Sequence, residues 1–310
     1  MSEFVNLMRY AMADNKDRPK LLSKFQDPII VKLLQSEDIE NTTLVQEEVY
    51  KTVLEGAEPQ LCMREALPIL KVKSNALRYV MGEAGSYAEE VAEGAEIPID
   101  TQDYSKTDFV IKKVGMRPLI TNELIEDGLF DVIALELKKA GAAIENKLNK
   151  DALDALIASA QASDALTSTD TLTVADVANA IGKAKAKNFI PDTLILSPVG
   201  ESTLLRDSNL VYVNRAGDNA ALRGGNIGAS LLGLKPYTTS VTATGWGDTG
   251  GANPLALVID RVHAGAIAMR RDLSIEQYKD PIRDLAGMSI TMRYDVKTFF
   301  SNAIVKIVTT

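Results

Sequence analysis

The sequence predicts an α+β fold, in which helices and strands occupy separate stretches of the chain. Residues 130–161 place apolar or small side chains every three or four positions, which is the helical period. The segment "ALRYVM" at 76–81 alternates in the way of a strand, and three alternating segments follow one another after Leu255. Strands gathered after helices are typical of α+β folds rather than of a regular βαβ series.

Composition narrows the class of protein. The chain has 310 residues, 46% of them hydrophobic, so it can bury a core and is long enough for about two domains. The formal net charge of -8 disfavours a dedicated nucleic-acid binder, which normally carries a basic face. The N-terminus lacks a signal-peptide plan, and no apolar run approaches the roughly 20 residues that span a bilayer. We expect a soluble protein made in a cytoplasm.

The first 70 residues predict two or three amphipathic helices. In "LVQEEVYKTVLEGA" the apolar residues Leu44, Val49, Val53 and Leu54 fall near one face. Such helices could pack on the core of their own chain or lie as an arm along another subunit. The sequence leaves both possibilities open.

Residues 71–114 predict two strands joined by a long acidic connection. No lysine or arginine occurs from Met81 to Asp100, whereas the stretch "EEVAEGAEIP" carries Glu89, Glu90, Glu93 and Glu96. The spacing does not match a calcium loop, and few aromatic residues are nearby to stack on a sugar. The pattern therefore favours a solvated or partner-facing tip over catalysis.

The strongest single element is a helix from Phe130 to about Gln161. Its apolar or small face is formed by Phe130, Ile133, Leu137, Ala140, Ile144, Leu148, Ala152 and Ala155. Only Gly141 interrupts the pattern, at a cost of about 1 kcal/mol. At about 1.5 Å per residue the helix is roughly 48 Å long, more than a single small core requires.

The rest of the chain alternates between helix and strand signals. We expect a helix from the N-cap Thr173 to before Pro191, a buried strand in "DTLILSP" and a short helix in "GESTLLRD". A glycine-rich loop follows at 214–230, then strands in "GLKPYTTSV" and "PLALVIDR". The tail predicts three further strands, in "AIAMRRDLSIEQYKD", "MSITMRYDVKTFF" and "NAIVKIVT".

No pattern predicts a catalytic, cofactor or metal site. Gly245, Gly247 and Gly250 match a dinucleotide fingerprint in letters, but a proline and a strand follow where a helix is needed. His263 is the only histidine and Cys62 the only cysteine, which is too few for a transition-metal site. We interpret His263 as structural or surface-exposed and Cys62 as a small buried hydrophobe.

The order of these parts resembles the major capsid protein family of tailed phages and related proviruses, with its Hong Kong 97-type fold. The resemblance covers about 43–310, and its most specific pieces are "EEVAEGAEIPID" leading into "VGMRPLITNELIEDG" and the tail from Leu255. It implies an N-terminal arm and helices (1–70), an extended β-hairpin loop (71–114), a peripheral domain with a long spine helix (115–195), an axial domain (196–259) and peripheral C-terminal strands (260–310).

The resemblance also implies a function. Such proteins are not enzymes; they assemble with themselves through pentamers and hexamers into an icosahedral shell around double-stranded DNA. The implied location is the virion capsid, assembled in the host cytoplasm. The implied partners are a scaffolding protein, a portal and packaged DNA held by weak non-specific contact, with no membrane. Only about 40 residues precede the matching region, so we expect a separate scaffold or none.

On this interpretation the acidic tip contacts a neighbouring subunit. The candidate partners are the lysine doublets near the hairpin base and on the spine, Lys112, Lys113, Lys138 and Lys139. Two alternatives stay open: an encapsulin-like nanocompartment shell that encloses a cargo enzyme, and a soluble hydrolase that uses the acidic segment.

Overall fold

The computed structural model describes residues 50–57, 62–82, 90–91, 104–121, 130–160, 166–168, 171–211, 230–241, 246, 254–280 and 285–309. The chain divides into two compact units. The first comprises Met1–Leu61, Lys113–Asn149 and Arg271–Arg293, and the second comprises Cys62–Lys112, Lys150–Arg270 and Tyr294–Thr310.

The predicted long helix is confirmed. After α1 (residues 50–57) and α2 (Cys62–Ala66) it is α3, Phe130–Ser159, and we call it the spine helix. Of the predicted apolar positions, Leu137, Ala140, Ile144, Leu148 and Ala152 are buried. Towards the C-terminal end the buried positions are Leu153 and Leu156, whereas Ala155 is half-buried. The shift follows from 3.6 residues per turn, because steps of four gradually rotate away from the buried face.

In the first unit, a helix over residues 50–57 (α1) packs on the spine helix. Val53 and Ala57 of α1 are buried, as are Leu137 and Ala140 of the spine. The same unit contains β5 (Leu119–Thr121), which pairs antiparallel with residues 285–287 of β11 (Leu285–Thr298). Of the two arrangements left open for the arm helices, residues 50–57 therefore adopt the intrachain one.

The second unit contains a five-stranded sheet in the order β6-β12-β9-β7-β8. Its strands are Leu166–Ser168 (β6), Thr193–Leu196 (β7), Lys235–Thr238 (β8), Pro254–Ile259 (β9) and Ile304–Thr309 (β12). Every residue of β7 and β9 is buried. Residues 194–196 of β7 and all of β9 are apolar, as is typical of strands that are covered on both faces.

Two helices pack against this sheet, and the first begins at the cap expected from the sequence. In α4 (Val174–Ala186) the hydroxyl of Thr173 accepts from the Asp176 N–H, and the Asp176 carboxylate accepts from the Thr173 N–H at 3.0 Å. This capping box satisfies two N–H groups that the first helical turn leaves unpaired. In α5 (Pro198–Leu204) the Ser197 hydroxyl caps the Gly200 N–H at 3.0 Å, with Pro198 in the first turn.

The remaining strands belong to a sheet in the order β1-β10-β11-β4, with β5 beside β11. The outer members are β1 (Ile69–Lys71) and β4 (Lys112–Met116), and β10 spans Gly265–Asp280. The three predicted tail strands are thus confirmed as β10, β11 and β12. The last of them, β12, lies between β6 and β9. Which sheet corresponds to the axial and which to the peripheral domain stays a prediction.

One predicted strand is wrong in extent. The run "DFVIKKVGM" is two strands, β3 (Tyr104–Val110) and β4, that belong to different sheets. The break falls at Ile111, which is buried and donates its N–H to the carbonyl of Asn75 at 3.0 Å. Alternation alone did not reveal the break, because the apolar pattern continues through it.

Several predicted features lie outside the described residues. They are the arm helices before residue 50, the glycine-rich loop 214–230 except its last residue, and the glycines Gly245, Gly247 and Gly250. Beside those glycines, Trp246 is buried and donates its indole N–H to the carbonyl of Thr239 at 3.2 Å. The segment that follows begins the strand β9 at Pro254, as the sequence predicted.

Candidate assembly surface

The two strands predicted within 71–114 pair as a separate antiparallel sheet, which spans only 76–82 and 104–110. Strand β2 (Ala76–Gly82) pairs with β3 in a continuous register from Ala76↔Val110 to Gly82↔Tyr104. Accessibility alternates along β2, so each strand presents one sheltered and one open face. The two faces have different chemistry.

The sheltered face is anchored by three aromatic rings. Phe109 is fully buried and meets Phe299 edge to face, with ring centroids 6.1 Å apart. Tyr79 stacks on Phe299, with ring centroids 5.0 Å apart. Aromatic pairs of this geometry add about 0.5–1.5 kcal/mol to the burial of their area. The hairpin is therefore fixed at its root.

A buried carboxylate completes the root. The Asp295 carboxylate accepts from the Val110 N–H at 2.9 Å, and Asp295 is buried. Val110 is the last residue of β3, where the chain turns towards β4. Because Asp295 accepts a main-chain N–H there, it fixes the point at which the chain leaves the hairpin.

The open face combines apolar side chains with one ion pair. Val80 is 50% exposed and Val110 is 59% exposed. Between them, Arg78 donates through Nε to Asp108 Oδ1 at 2.7 Å and through Nη2 to Asp108 Oδ2 at 3.2 Å. The two residues lie directly opposite each other in the register. This hydrogen bonding holds the pKa of the Asp108 carboxyl below its usual range.

The acidic tip is described only in part. Glu90 and Val91 are both exposed, which places a carboxylate next to an uncovered apolar side chain. Glu89, Glu93 and Glu96 lie outside the described residues. Their contact with a neighbouring subunit stays a prediction.

The four candidate lysines are in different surroundings. Lys112 and Lys113 are exposed. The Lys138 Nζ lies 3.1 Å from Oε2 of Glu55 in α1. The Lys139 Nζ lies 3.6 Å from Oε1 of Glu136, one turn away on the spine helix. Lys138 and Lys139 therefore already have carboxylate partners in their own chain, at exposed pairs worth about 0–1 kcal/mol. Their role towards a second subunit is untested.

The contact between arm and spine depends on two glycines that the sequence had not linked. A Cβ atom on Gly56 would meet the main-chain carbonyl of Lys138, and one on Gly141 would meet the main-chain carbonyl of Val53. The two helices therefore approach backbone to backbone, which only glycine permits at these positions. Gly141 is thus a packing residue, and its low helix propensity is offset by the close approach.

His263 and Cys62, the only histidine and the only cysteine of the sequence, have different surroundings. The His263 ring donates through Nδ1–H to the Asp260 carboxylate at 2.9 Å. Cys62 is half-buried, and burial, with a smaller effect of Glu65, raises the pKa of its thiol to about 12. Within the described ranges, no three His, Cys, Asp or Glu side chains are grouped as metal ligands. Over the same ranges, no helix is long and apolar enough to cross a membrane.

Comparison with known proteins identifies the family of this chain. Residues 105–307 match the phage capsid protein family. The chain belongs to that family. The match includes the spine helix, β10 and β11, all but the first residue of β3 and all but the last two residues of β12. The capsid protein is also 24% identical over 222 residues to the major capsid protein of Staphylococcus phage phiMR11, which spans 71% of this chain and 75% of that relative.

Solved phage capsids share the fold. The cyanophage P-SCSP1u capsid structure superposes with a TM-score of 0.61 at 14% identity, covering 80% of this capsid protein and 88% of that chain. A structure from Mycobacterium phage Bobi gives a TM-score of 0.57 at 18% identity, covering 84% and 90%. The mature capsid of bacteriophage PhiM1 gives 0.57 at 14%, covering 80% and 86%.

The predicted family and fold class are confirmed by these matches. The capsid protein has the mixed helix and sheet architecture of the Hong Kong 97-type fold and is a structural protein of a phage virion. The glutamate tip, the order of the segments and the tail strands were sufficient to predict this from the sequence. The glycine contact between arm and spine was not predicted, because its partners are far apart in the chain.

Proposed function

We propose that the capsid protein assembles with copies of itself, through pentamers and hexamers, into an icosahedral shell around double-stranded DNA. The observation that carries the proposal is the hairpin β2–β3. It is rigidly anchored through Phe109, yet it leaves Val80 and Val110 uncovered on its other face. We infer that a partner covers this face in the shell, and it can do so without burying an unpaired charge, because Arg78 and Asp108 pair with each other.

Weak contacts suffice for such an assembly. Burial of apolar surface contributes roughly 25 cal/mol per Å², and an exposed ion pair such as Arg78–Asp108 contributes about 0–1 kcal/mol. Each contact recurs in every subunit of a closed shell. The stability of the shell is therefore the sum of many small terms, which lets subunits dissociate and correct errors during assembly.

The interaction with DNA is expected to be weak. At a net charge of -8 the protein has no need to neutralise a genome that small cations can neutralise inside a closed wall. We expect unassembled subunits to bind duplex DNA no tighter than about 10⁻⁴–10⁻⁶ M at physiological salt. Fluorescence anisotropy with a labelled duplex tests this, and nanomolar affinity would point to a dedicated DNA binder.

The contents of purified particles separate the viral shell from a nanocompartment. On the proposed function, particles from infected or induced cells contain nuclease-protected double-stranded DNA. Particles that instead contain a single co-purifying enzyme would support the nanocompartment. A separate scaffolding protein and a portal, with assembly in the host cytoplasm, belong to the same proposal, and mass spectrometry of immature particles would detect the two proteins.

A further inference from the structure

The two most exposed large apolar side chains among the described residues share one buried carboxylate. Ile190 is 75% exposed and Val262 is 61% exposed. The Ile190 N–H donates to Oδ2 of Asp260 at 3.1 Å, and the Val262 N–H donates to Oδ1 of the same carboxylate at 3.1 Å. Asp260 is itself buried. A single side chain thus holds both apolar residues at the surface.

Three half-buried rings extend this apolar surface. The ring centroids of Phe189 and His263 are 5.6 Å apart, those of Phe189 and Phe300 are 6.0 Å apart, and those of His263 and Phe300 are 6.3 Å apart. His263 is joined to the same Asp260 carboxylate through Nδ1. We call Phe189, Ile190, Val262, His263 and Phe300 the Asp260 patch.

Hydrogen bonds join the three segments of the chain that form the Asp260 patch. The Asp260 N–H donates to the carbonyl of Ala303 at 3.1 Å, and the Phe300 N–H donates to the carbonyl of His263 at 3.2 Å. Together with the hydrogen bond from the Ile190 N–H to the Asp260 carboxylate, these bonds hold three separate segments of the chain together around Asp260. A surface that is already ordered loses little conformational entropy when a partner covers it. An apolar patch held in this way is therefore suited to binding.

The charges around the Asp260 patch are predominantly positive. Arg261 is exposed beside Val262, and Lys187 donates through Nζ to Asn302 at 3.2 Å, next to Phe300. The last turn of α4, which leads into the patch, adds Lys183 and Lys185.

Two carboxylates near the patch are already hydrogen-bonded within the chain. The Asp260 carboxylate accepts from the Ile190 N–H, the Val262 N–H and the His263 ring. The Asp192 carboxylate accepts from the Arg261 N–H at 3.0 Å and from the Thr193 hydroxyl at 3.0 Å. A complementary partner must then offer carboxylates next to apolar side chains.

The chain itself carries a segment with that chemistry. The hairpin connection "EEVAEGAEIP" has four glutamates interleaved with Val91 and Ile97, and no cation lies nearby in sequence. Its described residues Glu90 and Val91 are exposed. We propose that the Asp260 patch is the docking site for the acidic hairpin connection of a second copy of the capsid protein, a contact that deepens the proposed self-assembly and rests on it.

Cross-linking tests the pairing directly. One full-length chain carries Ile190→Cys and another carries Val91→Cys, both with Cys62→Ala so that no other thiol is present. The chains are mixed, allowed to assemble and mildly oxidised. We expect a disulfide-linked dimer on non-reducing gels that requires both variants. Absence of that dimer, or a cross-link within one chain that carries both cysteines, would overturn the proposal.

Assembly of variants supplies a second, independent readout. We expect Ile190→Ser with Val262→Ser to leave the melting temperature of the subunit unchanged and most of the protein unassembled. Arg261→Glu should have the same effect, and Glu90→Lys in the same chain should restore shells, because the charges are exchanged rather than removed.

The controls separate this inference from the proposed function. Leu232→Ser removes an equally large exposed apolar side chain outside the patch, and we expect it to assemble normally. If the wild-type protein forms shells and the patch variants form them equally well, the docking site is wrong while self-assembly stands. If the wild-type protein forms no shells, the proposed function fails and the docking site fails with it.

Discussion

A Cβ atom on Gly141 of the spine helix would meet the main-chain carbonyl oxygen of Val53 in α1. The reciprocal contact, Gly56 against the carbonyl of Lys138, lies three residues away along each of the two helices. Two glycines in two helices therefore set the distance between arm and spine. Neither residue could take a side chain without moving the partner backbone.

Gly141→Ala is expected to destabilise the subunit, although alanine favours helices. At a solvent-exposed helix position, replacing glycine with alanine stabilises the helix by about 1 kcal/mol. At Gly141 the added methyl group must displace Val53, so we expect a lower melting temperature and faster hydrogen exchange in residues 50–57. Gly182→Ala on α4 is the matched control, because its Cβ would meet no atom within 4 Å. Equal stabilisation by both substitutions would show that Gly141 does not lie against the main chain of Val53.

Leu148→Ala tests the buried face of the spine helix. Leu148 is fully buried, so the substitution removes apolar burial and leaves a cavity, at a cost of roughly 2–5 kcal/mol. Leu135→Ala on the same helix is the control, since Leu135 is exposed and should change stability by no more than about 0.5 kcal/mol. Denaturant unfolding of the unassembled subunit measures both. A loss below about 0.5 kcal/mol at Leu148 would contradict the assigned face.

The Arg78–Asp108 pair predicts a pH dependence with a definite sign. The pKa of Asp108 is lowered, first by its hydrogen bonds with Arg78. Any contribution of the pair to folding is therefore present above the ordinary aspartate pKa of about 3.9 and is lost as the pH falls through the lowered value. The pair is fully exposed, so we expect its effect on stability to be small.

Carboxyl-carbon NMR titration measures this shift. In Arg78→Gln the midpoint of Asp108 should rise towards the ordinary range, because the hydrogen bonds are lost. Lys106→Gln, which removes only a weaker charge effect, should raise it less. A midpoint of Asp108 that stays the same in Arg78→Gln would show that the bidentate pair is not formed in solution.

Replacing Glu89, Glu90, Glu93 and Glu96 with glutamine tests the role of the acidic tip. These side chains gather like charge in a connection with no lysine or arginine, so they should contribute little to the fold of the subunit. We expect a nearly unchanged melting temperature and weaker or misdirected assembly, measured by calorimetry and electron microscopy. A subunit that unfolds while residual shells form normally would mean that the carboxylates serve their own chain.

Local signals predicted most of the fold. Thr173 caps α4 as expected, because the hydrogen bonds of an N-cap join residues only three apart. Alternation identified β2 and the three tail strands, and the period of three or four identified Leu137 and Leu148 as buried. These features depend on the immediate neighbours in the sequence, which is why the sequence was sufficient.

Long-range contacts were not predictable in the same way. The role of Gly141 depends on Val53, and the role of Asp260 depends on the Ile190 N–H, 70 residues earlier. Lys138 was chosen only as part of a doublet, and its pairing with Glu55 follows from where α1 packs. In each case the partner is set by tertiary packing, which a periodic pattern does not encode.

The central claim is that the capsid protein forms a closed shell from copies of itself. Sedimentation velocity of the purified protein, followed by negative-stain microscopy of the fast-sedimenting fraction, tests it most directly. We expect pentamers, hexamers or closed icosahedral particles, whose proportion rises with protein concentration. A species that stays strictly monomeric at every concentration and salt condition would contradict it.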